Sequence, residues 1–73
     1  MATAKEKAFL VKVGNNIVRI RKEKGISSKE LAEHLDMEPS NLTPIEKGRI
    51  NTTLLTLHKI AQILGVDVSE FMD

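Results

Sequence analysis

Between Ser28 and Glu46 the chain reads SKELAEHLDMEPSNLTPIE, and the spacing of its apolar residues leaves few folds open. Leu31, Ala32 and Leu35 form one stripe at helical period, and Leu42 and Ile45 form a second. Met37 sits just after the break between them. This predicts two short helices joined by a tight turn and locked at a steep angle. Asp36 is the expected turn residue, because a short polar side chain tolerates the left-handed conformation better than most. The second helix should start near Pro39, at the first helical position, where a missing N–H costs nothing. It should end before Gly48.

The surrounding chain extends the same pattern. Phe9, Val13, Ile17 and Ile20 lie on one face of a helix from about Lys5 to Lys24. Gly14 weakens its middle by up to about 1 kcal/mol relative to alanine, and with Asn15 and Asn16 it marks a possible break. Gly25 ends this helix, after Lys22 and Lys24, which suit the negative end of the dipole. Ser27 and Glu30 form a capping box that opens the next helix. After the paired helices, a loop through Asn51 leads to a helix over about Leu54–Leu64. Leu54, Leu57, Ile60, Ala61 and Leu64 are expected to face inward, and Gly65 ends it. Asp67–Glu70 is a box-like start to a last short helix through Phe71. The expectation is an all-α, five-helix single domain over residues 1–73.

Composition narrows the functional classes. The chain has 73 residues, no cysteine and only two aromatics, Phe9 and Phe71, so the core must be aliphatic. A chain this short buries only roughly 60% of its extended surface. No apolar run approaches the roughly 20 residues of a membrane span, and the N-terminus lacks a signal-peptide core. A cytoplasmic setting without membrane association is the expectation. Net charge is only +1, but it is zoned. Residues 1–24 carry seven basic and two acidic side chains. Residues 25–38 carry Lys29 against Glu30, Glu33, Asp36 and Glu38. Such zones also arise from ordinary solvated helix faces. His34 and His58 fall on polar helix faces with no ligand partner at metal spacing, and the acidic group has no calcium-loop pattern. No nucleophile, base and orienting group stand together, so no enzyme, metal, cofactor or small-molecule ligand is expected.

Two short helices in this arrangement are the layout of a helix-turn-helix, whose second helix usually enters the DNA major groove. The segments IRKEKGIS (20–27), ELAEHL (30–35), NLTPIEKG (41–48), TLHKIAQILGV (56–66) and SEF (69–71) together resemble the lambda-repressor-like family of phage Cro and repressor proteins. The extended first helix is similar to that of the small restriction-modification controller proteins. The resemblance covers residues 13–72. It implies a transcriptional regulator that binds double-stranded DNA as a homodimer on a palindromic site. It also implies an ion pair between Arg21 and Glu46, which a guanidinium fork could make bidentate. Ser28 falls where the family touches phosphate, with the amides of that helix N-terminus beside it; Lys29 can add a counterion-releasing contact of its own. Lys47, Arg49 and Asn51 fall at further backbone contacts.

The reading positions depart from the family pattern. They map onto Pro39, Ser40, Asn41, Thr43 and Pro44. Asn41 can pair with adenine and Thr43 can offer its methyl to thymine, but no Arg or Gln is present for strong bidentate bonds. Glu38 suits the helix dipole yet repels phosphate. Pro44 lies inside the helix, at a cost of about 3 kcal/mol in a regular helix. A kink, a fresh start capped by Thr43, or loss of base reading are the possible results. A modest kink with DNA binding kept is the expectation, with specificity resting partly on DNA shape. Leftover apolar residues Leu55, Val68, Phe71 and Met72 are expected to form the dimer surface, braced by Phe9–Val11. The rival reading is a protein-interaction module or antitoxin-like adaptor that kept the fold.

Overall fold

The computed structural model describes residues 2–73, and four α-helices and a closing 3-10 turn follow one another along the chain. They are α1 (Ala4–Glu23), α2 (Ser28–His34), α3 (Pro39–Glu46), α4 (Leu54–Leu64) and the turn Val68–Phe71. The fifth helix expected from sequence is therefore a single 3-10 turn. Asp67 opens it by accepting from the Ser69 amide, and Glu70 makes no reciprocal capping-box bond. No strand occurs among the described residues.

Local chemistry sets the boundaries. Thr3 and Glu6 form a reciprocal capping box at the start of α1, and Ser27 and Glu30 form another at α2. Thr53 caps α4 through its hydroxyl. Asp36 takes φ 59° between α2 and α3, the left-handed turn expected of it. The α1 helix runs unbroken through Gly14, Asn15 and Asn16.

Gly14 is there for packing. A Cβ at this position would lie 2.4 Å from the Glu46 carbonyl oxygen. Gly48, at φ 68°, comes as close to the Val11 backbone, where a Cβ would lie 2.5 Å from N and Cα. The backbones of α1 and the end of α3 thus touch directly, and only glycine leaves room for that.

The core is aliphatic, closed by one aromatic. Val13, Ile17 and Ile20 from α1 meet Leu31 and Ala32 from α2, Leu42 and Ile45 from α3, and Leu57, Ile60, Ala61 and Leu64 from α4. Phe71 closes it, at 0% exposure. This corrects the expected place of Phe71 on a dimer surface: its ring is spent within its own chain. Asn16 holds that end down, its amide donating to the Phe71 carbonyl at 2.9 Å. Two residues expected inside are outside. Phe9 is 48% exposed, as every residue of α1 before Leu10 is exposed, and Leu54, at the first position of α4, is 81% exposed.

Candidate nucleic-acid interface

Helix α3 divides cleanly into an inner and an outer face. Leu42, Ile45 and Glu46 are buried, Pro39, Ser40 and Asn41 are exposed, and Thr43 and Pro44 are half-buried at the edge. The inner residues fasten α3 to α1 and α2, against which it packs. The outer ones are left free of the chain's own core. All five expected reading positions fall on this outward edge. Lys47, Arg49 and Asn51 follow it and are exposed. Asn51 lies beside the start of α1, in a depression shared with Ala2, Glu6, Phe9 and Leu10.

The helix continues through Pro44 from Pro39 to Glu46 as one element. A fresh start at Thr43 is not what forms. The Thr43 hydroxyl donates backward to the Pro39 carbonyl at 3.1 Å instead of capping forward. Pro44 deprives the Ser40 carbonyl of its regular donor, and Ser40 is exposed, so that group is not sealed in the core. Glu38 occupies the N-cap position without a side-chain capping bond.

A buried polar brace sets the angle of α3. Arg21 Nε donates to Glu46 Oε2 at 2.8 Å, with both side chains about nine-tenths buried. The expected bidentate fork does not form: Arg21 Nη1 turns to the Ile26 carbonyl, at 3.0 Å. The second carboxylate oxygen of Glu46 accepts from the Ser28 hydroxyl at 3.2 Å. The ends of α1 and α3 and the start of α2 are thereby joined by three charge-assisted bonds around one ion pair. Among the described residues every buried side-chain nitrogen or oxygen has a partner. Ser28 was expected to donate to phosphate, but its hydroxyl is committed to this brace. The Glu30 amide of α2 is likewise taken by Ser27 Oγ. Of the two residues expected at this helix start, only Lys29 keeps a free side chain, exposed beside a groove lined by Glu33, Asp36, Met37, Glu38 and Pro39.

The charge along the interface is therefore graded. Asp36 and Glu38 precede α3, and Lys47 and Arg49 follow it. Two features escaped the reading of the sequence. Thr3 and Glu6 carry the same spacing as Ser27 and Glu30, so their capping box was there to be found. The bonds of Ser28 and Asn16 join residues 18 and 55 positions apart, and no local pattern signals them. Among the described residues there is no group of His, Cys, Asp and Glu suited to hold a metal, and no helix is long and apolar enough to cross a membrane.

Known proteins share this arrangement. A family model described as helix-turn-helix matches residues 17–71. An uncharacterized HTH-type transcriptional regulator, y4dJ, from Sinorhizobium fredii is 38% identical over 60 residues, which span 82% of this chain and 78% of that protein. Control protein C.MunI from a Mycoplasma species is 34% identical over 61 residues, 82% of each chain. Among solved structures, the restriction-modification controller protein C.AhdI from Aeromonas hydrophila superposes with a TM-score of 0.82 at 31% identity. That match covers 88% of this chain and 97% of the other.

Proposed function

Because this chain belongs to the DNA-binding helix-turn-helix family of transcriptional regulators, we propose that it is a sequence-specific regulator that binds a palindromic operator as a homodimer. The observation that carries this reading is the outward edge of α3. Pro39, Ser40 and Asn41 are exposed there and Thr43 and Pro44 half-buried, while the inner face is held by apolar contacts and the Arg21–Glu46–Ser28 brace. A rigid helix with a free polar edge can enter a major groove without reorganising the fold. Ser40 and Asn41 would meet base edges, and Lys29, Lys47 and Arg49 would meet phosphates.

A single α3 reaches few base pairs, so two copies about one DNA turn apart give the affinity and specificity a regulator needs. For the dimer surface, Leu55 stays available at 61% exposure, and its neighbour Leu54 joins it. Val68 and Met72 are half-buried against the core and can contribute only an edge. The reading predicts a protein that works in the cytoplasm, where its DNA is.

A binding titration tests it. The chain should prefer a selected duplex over random duplex, and both affinities should fall steeply with salt. Asn41→Ala should flatten discrimination among sequences. Arg49→Ala should weaken all duplexes about equally and lower the salt slope by about 1. Absence of any salt-dependent binding at low ionic strength would refute the regulator and favour a protein-interaction module.

A further inference from the structure

The outward edge of α3 has few ways to address a base. Three of its side chains are polar, Ser40, Asn41 and Thr43, and one of these is already engaged. Thr43 Oγ1 donates its proton to the Pro39 carbonyl at 3.1 Å. While that bond is kept, its proton is not available to the acceptor atoms that guanine, adenine and thymine present in the major groove. What Thr43 has left to offer is its methyl group and the lone pairs of its oxygen. Pro39, one helical turn before Thr43, and Pro44, next to it in sequence, carry rings with no donor at all. Pro39–Glu46 contains no Arg, Lys or Gln, the side chains that form bidentate pairs with guanine or adenine most readily apart from Asn.

Only one unmodified base presents an apolar group in the major groove, and that is thymine with its C5-methyl. We propose that Thr43, together with Pro39 and Pro44, forms a methyl reader, and that the protein selects thymine at these positions by apolar contact. Asn41 supplies the complementary contact to adenine. The proposal rests on the reading of α3 as the base-reading helix, and it deepens that reading by naming the chemical group that is read. The prolines, which remove hydrogen-bonding capacity from this helix, then suit its ligand: a methyl group needs a dry, shaped surface and no donor.

The test uses the full chain and a duplex recovered by selection from random sequences. Each thymine is replaced in turn by deoxyuridine, which deletes the methyl and leaves every hydrogen-bonding atom in place. At one or two positions per half-site affinity should fall about fourfold per methyl removed, the loss expected for one buried methyl-sized group. Thr43→Val, which keeps a methyl and discards the hydroxyl, should keep the thymine-to-uracil ratio. Thr43→Ser should bring that ratio at one position close to unity. Equal affinity for thymine and uracil at every position, on a duplex still preferred over random DNA, would overturn the methyl reader and leave the regulator standing. Loss of preference in Thr43→Val with the fold intact by circular dichroism would also overturn it, by showing that the hydroxyl reads. Failure of the parent to prefer any duplex would overturn the regulator itself, and the methyl reader with it.

Discussion

Arg21 and Glu46 show how much a single side chain can decide in a fold this small. Their charges are buried together, and removing one leaves the other uncompensated in a poorly solvated place. Arg21→Ala should lower the unfolding free energy by about 3–5 kcal/mol, read from the urea midpoint at constant m. A domain of this size has only about 4–11 kcal/mol to lose, so the variant should be near the edge of folding. Gly14 makes the opposite kind of point. Replacing an interior helical glycine by alanine ordinarily stabilises by about 1 kcal/mol. Here the added methyl would meet the Glu46 carbonyl, and Gly14→Ala should destabilise by about 1–3 kcal/mol, again in urea. The sequence alone marks Gly14 as a weakness in α1. Its value depends on a residue 32 positions away, which no periodicity reports. The Arg21–Glu46 pair was legible only because the segments around both residues resemble a known family; their spacing says nothing.

The elements themselves were legible where local chemistry dictates them. Capping residues, Asp36 and the terminating glycines put the helix ends within a residue or two of where they fall. These caps also carry a pH signature. The Ser27 backbone amide, and then its hydroxyl, hold the Glu30 carboxyl below the ordinary carboxylate value, and Thr3 does the same for Glu6 in the same order. The Ser69 amide lowers Asp67 similarly. A carboxyl depressed in the folded chain contributes stability above its unfolded value, and that contribution is lost as pH falls through the folded value. The melting temperature should therefore drop below the ordinary carboxylate range. Glu30→Gln should narrow the difference between neutral pH and pH about 3, a comparison thermal melts make directly. Helix α3 carries its own prediction. Pro44→Ala restores a backbone donor, against which the unfolded chain regains some freedom. The balance should raise stability by about 1–2 kcal/mol, measured in urea, while weakening any preference that depends on the proline ring. Sequence reasoning saw the proline and its cost. It did not show that Thr43 would turn its hydroxyl back to Pro39, because that choice depends on a helix that stays continuous.

For the whole molecule, the surface left over after the core is filled decides how copies can meet. Leu54 and Leu55 open α4 with their side chains in solvent, and Phe9 near the start of α1 is about half exposed. Under the proposed dimer, Leu55→Glu should give a monomer by sedimentation equilibrium at tens of micromolar. Its thermal stability should stay within the small range typical of surface substitutions, and operator affinity should fall at least about tenfold. A variant that remained dimeric would exclude this surface. The fold class was legible because four amphipathic stripes of this length have few ways to share one core. The partition of the leftover apolar residues was not. Whether Phe71 points inward or Leu54 outward depends on how the chain turns at its ends, and a 3-10 turn rotates its residues differently from an α-helix.

The paired glycines, Gly14 and Gly48, give this arrangement a mechanical character. Where side chains separate two helices, a rotamer change can absorb a small tilt of one against the other. Here main chain rests on main chain, with nothing between to yield. Any rotation of α3 would therefore carry the middle of α1 with it, because the end of α3 rests on Gly14 and Gly48 rests on Val11.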